Sequence, residues 1–212
     1  MLSEEERRQA LEAAADTIRG CTRCRLHKTR TQAVPGEGPP RAAVLLVGEA
    51  PGRDEDASGR PFVGRAGRIL DDALEAARLP RASVFISNVV KCRPPGNRRP
   101  KPDEVAVCRA YLMGQIVCVQ PRVIVTLGAT ALRGLLGPGH ELRASRGKSL
   151  RLGEIPVVAT YHPAAVLYNR RLERALRLDM KKAARAVVLA AASRRVGRPS
   201  GRTPSRGPRA TR

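Results

Sequence analysis

Four short apolar runs punctuate the chain: Ala43 to Val47, Val84 to Val90, Val123 to Leu127 and Pro156 to Thr160. Each is aliphatic or β-branched and lacks the polar alternation of a half-exposed strand, the pattern of strands covered on both faces. Around them, apolar positions recur at helical spacing. Residues 3 to 19 read as an amphipathic helix, with Ser3 as N-cap, Glu4 to Glu6 at the positive end of the dipole, and Leu11, Ala14, Ala15 and Ile18 as the stripe. Further helices are predicted over roughly Gly64 to Arg78, Pro102 to Val119 and Ala129 to Leu136, with a last one from about Pro163 through Arg185 into the Ala-rich stretch. Strand and helix alternate, which predicts an α/β fold: a three-layer α/β/α sandwich around a central four-stranded, mainly parallel sheet. From Ser193 onward the chain carries seven Arg, no acid and little to bury. Residues 193–212 are therefore expected to be a disordered basic tail on a single domain spanning 1–192.

At 212 residues and 42% hydrophobic, the chain suits one ordinary domain with a real core. It has no run of eighteen apolar residues, and its first residues mix acids and bases where a secretory leader would be apolar. The expectation is a soluble intracellular protein without membrane contact. Forty Lys and Arg against nineteen Asp and Glu leave a formal charge of +21, the footprint of something that meets a polyanion, with nucleic acid the first candidate. A GC-rich genome accounts for Arg replacing Lys, but not for the excess of bases over acids.

Ligands of open parallel sheets bind beyond the carboxyl ends of the strands, so the residues just past each strand are the first to inspect. Gly48-Glu49-Ala50-Pro51-Gly52 follows the first, Asn88 ends the second, Gly128-Ala129-Thr130 follows the third and Tyr161-His162-Pro163 the fourth. Phe62, one of two Phe, sits in the Gly- and Pro-framed GRPFVG segment outside any periodic pattern, where it either plugs a sheet edge or stacks on a base. Of the five cysteines, Cys21 and Cys24 form a C-x-x-C, and Cys92 and Cys108 bracket a loop rich in Pro and Arg. Four thiols in an intracellular protein read as a metal or cluster site before a disulfide pair, and spacing alone leaves zinc and iron-sulfur both open. Cys118, in the apolar QIVCV stretch, reads as a buried small hydrophobe. His27 and His140 read as surface residues. Arg93, Arg98, Arg99 and Lys101 are either a solvated charge run or a basic edge for phosphate.

GEAPG (48–52), GRPFVG (59–64), NVVKCRPP (88–95), TLGATA (126–131) and HPAAVL (162–167) together resemble the iron-sulfur, thermophile-type branch of the uracil-DNA glycosylase superfamily, often called family 4. The motifs span about two-thirds of the chain in the family's order. The resemblance implies a [4Fe-4S] cluster on Cys21, Cys24, Cys92 and Cys108, uracil-containing DNA as substrate, and a cytoplasmic, nucleoid-associated monomer. It assigns Phe62 to stacking on an extruded uracil and Asn88 to reading its edge. His162 and the backbone of the Gly48 to Gly52 loop would stabilise the departing anion. Ala50 stands where other branches place a water-orienting Asp, which leaves Glu49 and Glu55 as candidates, with helix capping the bland alternative for either. Leu167 or Val166 is the expected wedge into the vacated base stack. A relative that forms a covalent adduct uses a His in the loop after the second strand; CRPPGNRRPKPDE contains none, so turnover is expected. A non-catalytic DNA-binding module of the same fold is the other alternative.

Overall fold

Apolar runs with no polar alternation need cover on both faces, and they receive it. The computed structural model describes residues 2–196, with side chains through residue 189. The runs form β1 (Val44–Gly48), β2 (Val84–Asn88), β3 (Val123–Leu127) and, after a short β4 (Leu150–Leu152), β5 (Ile155–Thr160). The order is β2-β1-β3-β5-β4, parallel throughout except for the antiparallel β4–β5 pair. The sheet thus has five strands where the sequence predicted four. The additional one is three residues long, has Arg151 exposed at its centre, and is folded back through Gly153 at φ 55°. No apolar run marks it.

Helices α1 (Glu4–Arg19), α4 (Pro102–Val119) and α5 (Ala129–Leu136) cover one face. There Ile18, Leu112, Ile116 and Leu135 pack with Leu45, Val47, Phe85 and Ile124. Against the other face lie α3 (Arg65–Ala76) and α8 (Leu172–Val196), which bring Leu70, Leu74, Leu176 and Met180 onto Val44, Leu46, Ile86 and Val125. Successive strand residues therefore feed opposite layers, which is why neither face could tolerate polar alternation. The predicted first helix is closed by the expected cap, in which Ser3 and Glu6 exchange side-chain to backbone bonds.

The larger departures from the expected boundaries are three. Strand β2 stops at Asn88, although Val89 and Val90 stay buried and donate to the carbonyls of Gly48 and Glu49. The single helix expected from Pro163 is two, α7 (Pro163–Tyr168) and α8, because Asn169 Oδ1 accepts from the Arg171 N–H and turns the chain between them. Helix α8 also continues to Val196, so the backbone of 193–196 is helical where a tail was expected. The rest of that tail lies outside the described residues.

Candidate active site

The carboxyl ends of β1, β2 and β5 open onto a cleft of about 390 Å³, a size that suits a nucleotide-scale ligand. Glu49, Ala50, Gly52, Glu55, Phe62, Asn88 and His162 all line it. Residues from four separate stretches of sequence are brought together because parallel strands all end on the same edge.

Asn88 is 1% exposed, and among the described residues nothing hydrogen-bonds its Oδ1. A buried polar oxygen without a partner costs roughly 1–3 kcal/mol, so this orientation makes sense when a ligand supplies the donor. Gly48 makes room for it. A Cβ at Gly48 would lie 2.2 Å from Asn88 Oδ1 and 2.7 Å from the Phe62 ring. The glycine therefore seats two side chains of the cleft against the end of β1, in addition to the close main-chain approach expected of it.

Phe62 is buried with φ 52°, a left-handed conformation that costs a bulky residue about 1 kcal/mol or more. The surroundings hold it there. Arg81 donates to the carbonyls of Pro61 (2.6 Å) and Phe62 (3.2 Å) while paired with Glu37 and Asp71. Gly67 lies so close beneath that a Cβ would meet Phe62 O at 1.9 Å. Glu55 completes the clamp. From α2 (Arg53–Ser58) it accepts from Val63 N (2.9 Å) and Gly64 N (3.0 Å) with one oxygen and from Gly52 N (3.0 Å) with the other. The capping role thus applies to Glu55, and its carboxylate joins the GEAPG turn to the Phe62 loop. Pro51 has no N–H and Gly52's is taken by Glu55, which leaves the N–H groups of Glu49 and Ala50 as the turn's candidate donors to the cleft.

His162 is the N-cap of α7, its Nδ1 accepting from Ala164 N at 3.1 Å. A ring nitrogen that accepts carries no proton, so the neutral ring holds its proton on Nε2. Burial pushes the imidazole down from an ordinary 6.5 to about 4, with Glu55 pulling weakly the other way. The ring centroid is 5.6 Å from that of Phe62. Capping and cleft-lining thus coincide in one ring. Behind the His162 loop, Asp179 of α8 accepts from Thr160 Oγ1 (2.9 Å) and Arg146 Nε (2.6 Å), and the Arg146 guanidinium lies 5.2 Å from the Tyr161 ring. This buried knot fixes the end of β5.

Val166 is buried in the core, which removes it as a wedge; Leu167 is 38% exposed and borders a separate charged recess lined by Arg65, Arg68 and Arg170 with Asp72 and Glu173. Tyr168, 92% exposed on the rim of the cleft, was missed because it reads as the last residue of an apolar helical turn. Arg98 is not a free phosphate contact: it pairs with Glu104 at 2.7 and 2.8 Å, and holds that carboxyl below the usual range. Arg99 and Lys101 are exposed. The TLGATA segment does not line the cleft, although Gly128 backs the His162 side chain.

Cys21, Cys24, Cys92 and Cys108 face one small cavity, together with Tyr111 and Lys91. His27 also lines it, with Nδ1 2.7 Å from Cys24 O, and so is not the surface residue expected. None of the five cysteines forms a disulfide, and Cys118 is buried elsewhere, against Arg7. Among the described residues, no three His, Cys, Asp or Glu side chains group closely enough for a single metal ion. Four sulfurs around one cavity are a donor set that suits zinc and an iron-sulfur cluster alike, so the choice the sequence left open is not made by this geometry. Arg25, next to Cys24, pairs with Asp103 and Glu104, which ties the N-terminal pair to α4.

A mainly parallel α/β sheet whose carboxyl edge presents a ring, a carboxamide and a neutral imidazole to one cleft defines a protein built to hold a flat, hydrogen-bonding heterocycle. The uracil DNA glycosylase superfamily model matches residues 35–188, and the chain belongs to that superfamily. It is 47% identical over 182 residues to a type-4 uracil-DNA glycosylase of Sulfurisphaera tokodaii, covering 82% of this chain and 83% of that protein. Similar relatives of the same description occur in Thermotoga maritima (44%, 84% of this chain and 94% of that protein) and Archaeoglobus fulgidus (42%, 82% and 92%).

Proposed function

We propose that the protein removes uracil from DNA, hydrolysing the N-glycosidic bond of an extruded deoxyuridine and leaving an abasic site for base excision repair. The observation that carries this reading is the unpartnered Asn88 Oδ1, aimed into a cleft that Phe62 and His162 share. Uracil N3–H supplies the missing donor and O4 accepts from the other end of the amide; cytosine offers neither. Phe62 stacks on the ring. The Nε2–H of neutral His162 donates to O2, where charge accumulates as the bond breaks, and a backbone N–H of Glu49 or Ala50 adds to the same site. Glu49, half-buried at the cleft wall, orients the attacking water, because both oxygens of Glu55 are engaged by backbone. Leu167 fills the stack the base has left, a flip that costs a few kcal/mol.

The four cysteines hold a [4Fe-4S] cluster whose role is structural, pinning the segment after α1 to the loop before α4. On this reading it works as a monomer on nucleoid DNA in the cytoplasm.

His162→Ala and Asn88→Ala test the assignment on an oligonucleotide with a single uracil. Each is expected to lower kcat/KM by about 10²-fold, the usual loss of one transition-state donor or one base-reading pair. Cleavage at the wild-type rate by either would reject the roles given to them.

A further inference from the structure

Tyr168 closes α7 and is 92% exposed, the most exposed of the large apolar side chains among the described residues. The other two tyrosines each carry a guanidinium over the ring, Arg23 at 5.9 Å from Tyr111 and Arg146 at 5.2 Å from Tyr161. Among the described residues, no hydrogen bond, ion pair or ring contact engages the Tyr168 side chain, so both faces of its ring are open. The ring nevertheless hangs from a fixed point. Helix α7 starts on the His162 cap, buries Pro163 and Val166, and is closed at its far end by the Asn169 N–H, which donates to Ala165 O at 2.9 Å. Tyr168 therefore shares a short, anchored helix with His162 and stands on the rim of the cleft that Phe62, Asn88 and His162 line. Beside it, Leu167 borders the recess of Arg65, Arg68 and Arg170, and among the described residues no ion pair engages any of these three. Of the two acids in that recess, Glu173 is paired with Arg177 at 2.7 Å. A bare aromatic face next to uncommitted positive charge is the combination with which proteins hold unpaired bases.

We infer that Tyr168 is the stacking platform for the base next to the extruded uridine on the same strand, and that it sets how well the protein works on single-stranded DNA. The inference rests on the proposed uracil-DNA reading and extends it to a second base. In a duplex that neighbouring base is already paired and stacked, so the ring has little to add. In a single strand it has no cross-strand partner, and once the uridine swings out it loses a stacking neighbour as well. An exposed aromatic face replaces that neighbour, and it does so whatever the sequence, because every base has a π face. Arg65, Arg68 and Arg170 supply the charge that attracts the phosphates of the same stretch. The part played by Leu167 is different: it enters the gap inside a paired stack, whereas Tyr168 meets a base at the mouth of the cleft. Because the ring stands on the rim, away from the groups assigned to the glycosidic bond, its contribution belongs in KM and leaves kcat alone.

The test measures steady-state cleavage of a single-uracil oligonucleotide, alone and annealed opposite guanine, by the purified full chain and by Tyr168→Ala, Tyr168→Leu and Tyr168→Phe. With the side chain in solvent, all three variants are expected to keep the wild-type unfolding temperature. On the single strand, Tyr168→Ala and Tyr168→Leu are expected to raise KM at least about fivefold, the low end of what one base stacked on an aromatic ring is worth. Their kcat is expected to stay within about twofold, as for a lost binding contact that the transition state shares. Tyr168→Phe keeps the face and is expected to behave as wild type. On the duplex all three are expected to stay within about twofold in KM, since the flanking base is already stacked there. A second arm replaces the nucleotide on either side of the uracil, in turn, by an abasic tetrahydrofuran. On one side this is expected to cost the wild type the same factor as Tyr168→Ala and to cost Tyr168→Ala nothing further. An unchanged KM in Tyr168→Ala, equal losses on single strand and duplex, or abasic penalties identical in the two proteins would each overturn the role of Tyr168. A wild type that releases no uracil from either substrate would instead refute the reading beneath it.

Discussion

At the scale of single residues, the protonation state of His162 does the deciding. With Nδ1 occupied by the Ala164 N–H and the ring pushed down to about 4, the imidazole is neutral at pH 7 and carries one proton, on Nε2, which the proposed mechanism gives to the base as a hydrogen bond. A neutral donor stabilises a developing anion without first having to bind a proton from solvent. The group is depressed relative to its unfolded value of about 6.5. Its contribution to stability is therefore present above about pH 6.5 and is lost as pH falls toward 4, where the folded ring also takes up a proton. Single-turnover cleavage is expected to stay level from pH 8 to below 6 and to fall only as pH nears 4. An acid limb centred near 6.5 would mean that the ring is solvated and the donor assignment wrong. Phe62, Asn88 and His162 were legible in the sequence because each is the wrong kind of residue for its surroundings: an aromatic outside any apolar period, an amide ending an aliphatic strand, an imidazole before a helix-starting proline. The task of Glu55 was not, since it depends on which backbone groups fold against it.

At the scale of elements, α2 and the Phe62 loop behave as one unit through Glu55. Its three charge-assisted bonds hold the left-handed turn at Phe62 against strain. Glu55→Gln keeps the shape and an accepting oxygen and is expected to retain kcat within about threefold, whereas Glu55→Ala should lower stability by about 1–3 kcal/mol and raise KM as the ring loses its place. Thermal unfolding and steady-state kinetics on the two variants separate this from a water-orienting role, for which Glu55→Gln alone would lose about 10²-fold in kcat. The strands with two buried faces were readable from their unbroken apolar runs, and so was Ser3 as the N-cap of α1. The fifth strand was not, because an edge strand of three residues has one neighbour and no apolar run to announce it. Nor was the break between α7 and α8, which is made by a side-chain bond of Asn169 inside an otherwise helical pattern.

At the scale of the whole molecule, the formal charge of +21 would govern how the proposed enzyme meets DNA. Part of that charge is internally committed, as in Arg98 with Glu104 and Arg146 with Asp179, so total charge overstates the phosphate-binding surface. Residues 197–212 add five Arg without an acid. Each Arg that neutralises a phosphate contributes about 0.9 to the slope of log K against log salt. Truncation after Val196 is expected to flatten that slope by about one or more while leaving kcat in place; an identical slope would show that the tail does not engage DNA. Fold class and the cleft's residues could be read from the order of motifs, whereas which cations are free and which are tied could be read only once the chain was folded. The most direct test of the account gives the wild-type protein two oligonucleotides identical except for uracil or cytosine at one position, and identifies the released base by mass spectrometry. Free uracil from the first and no cytosine from the second is the predicted result. Comparable release of cytosine, or no uracil at all, would contradict a cleft in which Asn88 and neutral His162 read and discharge the base.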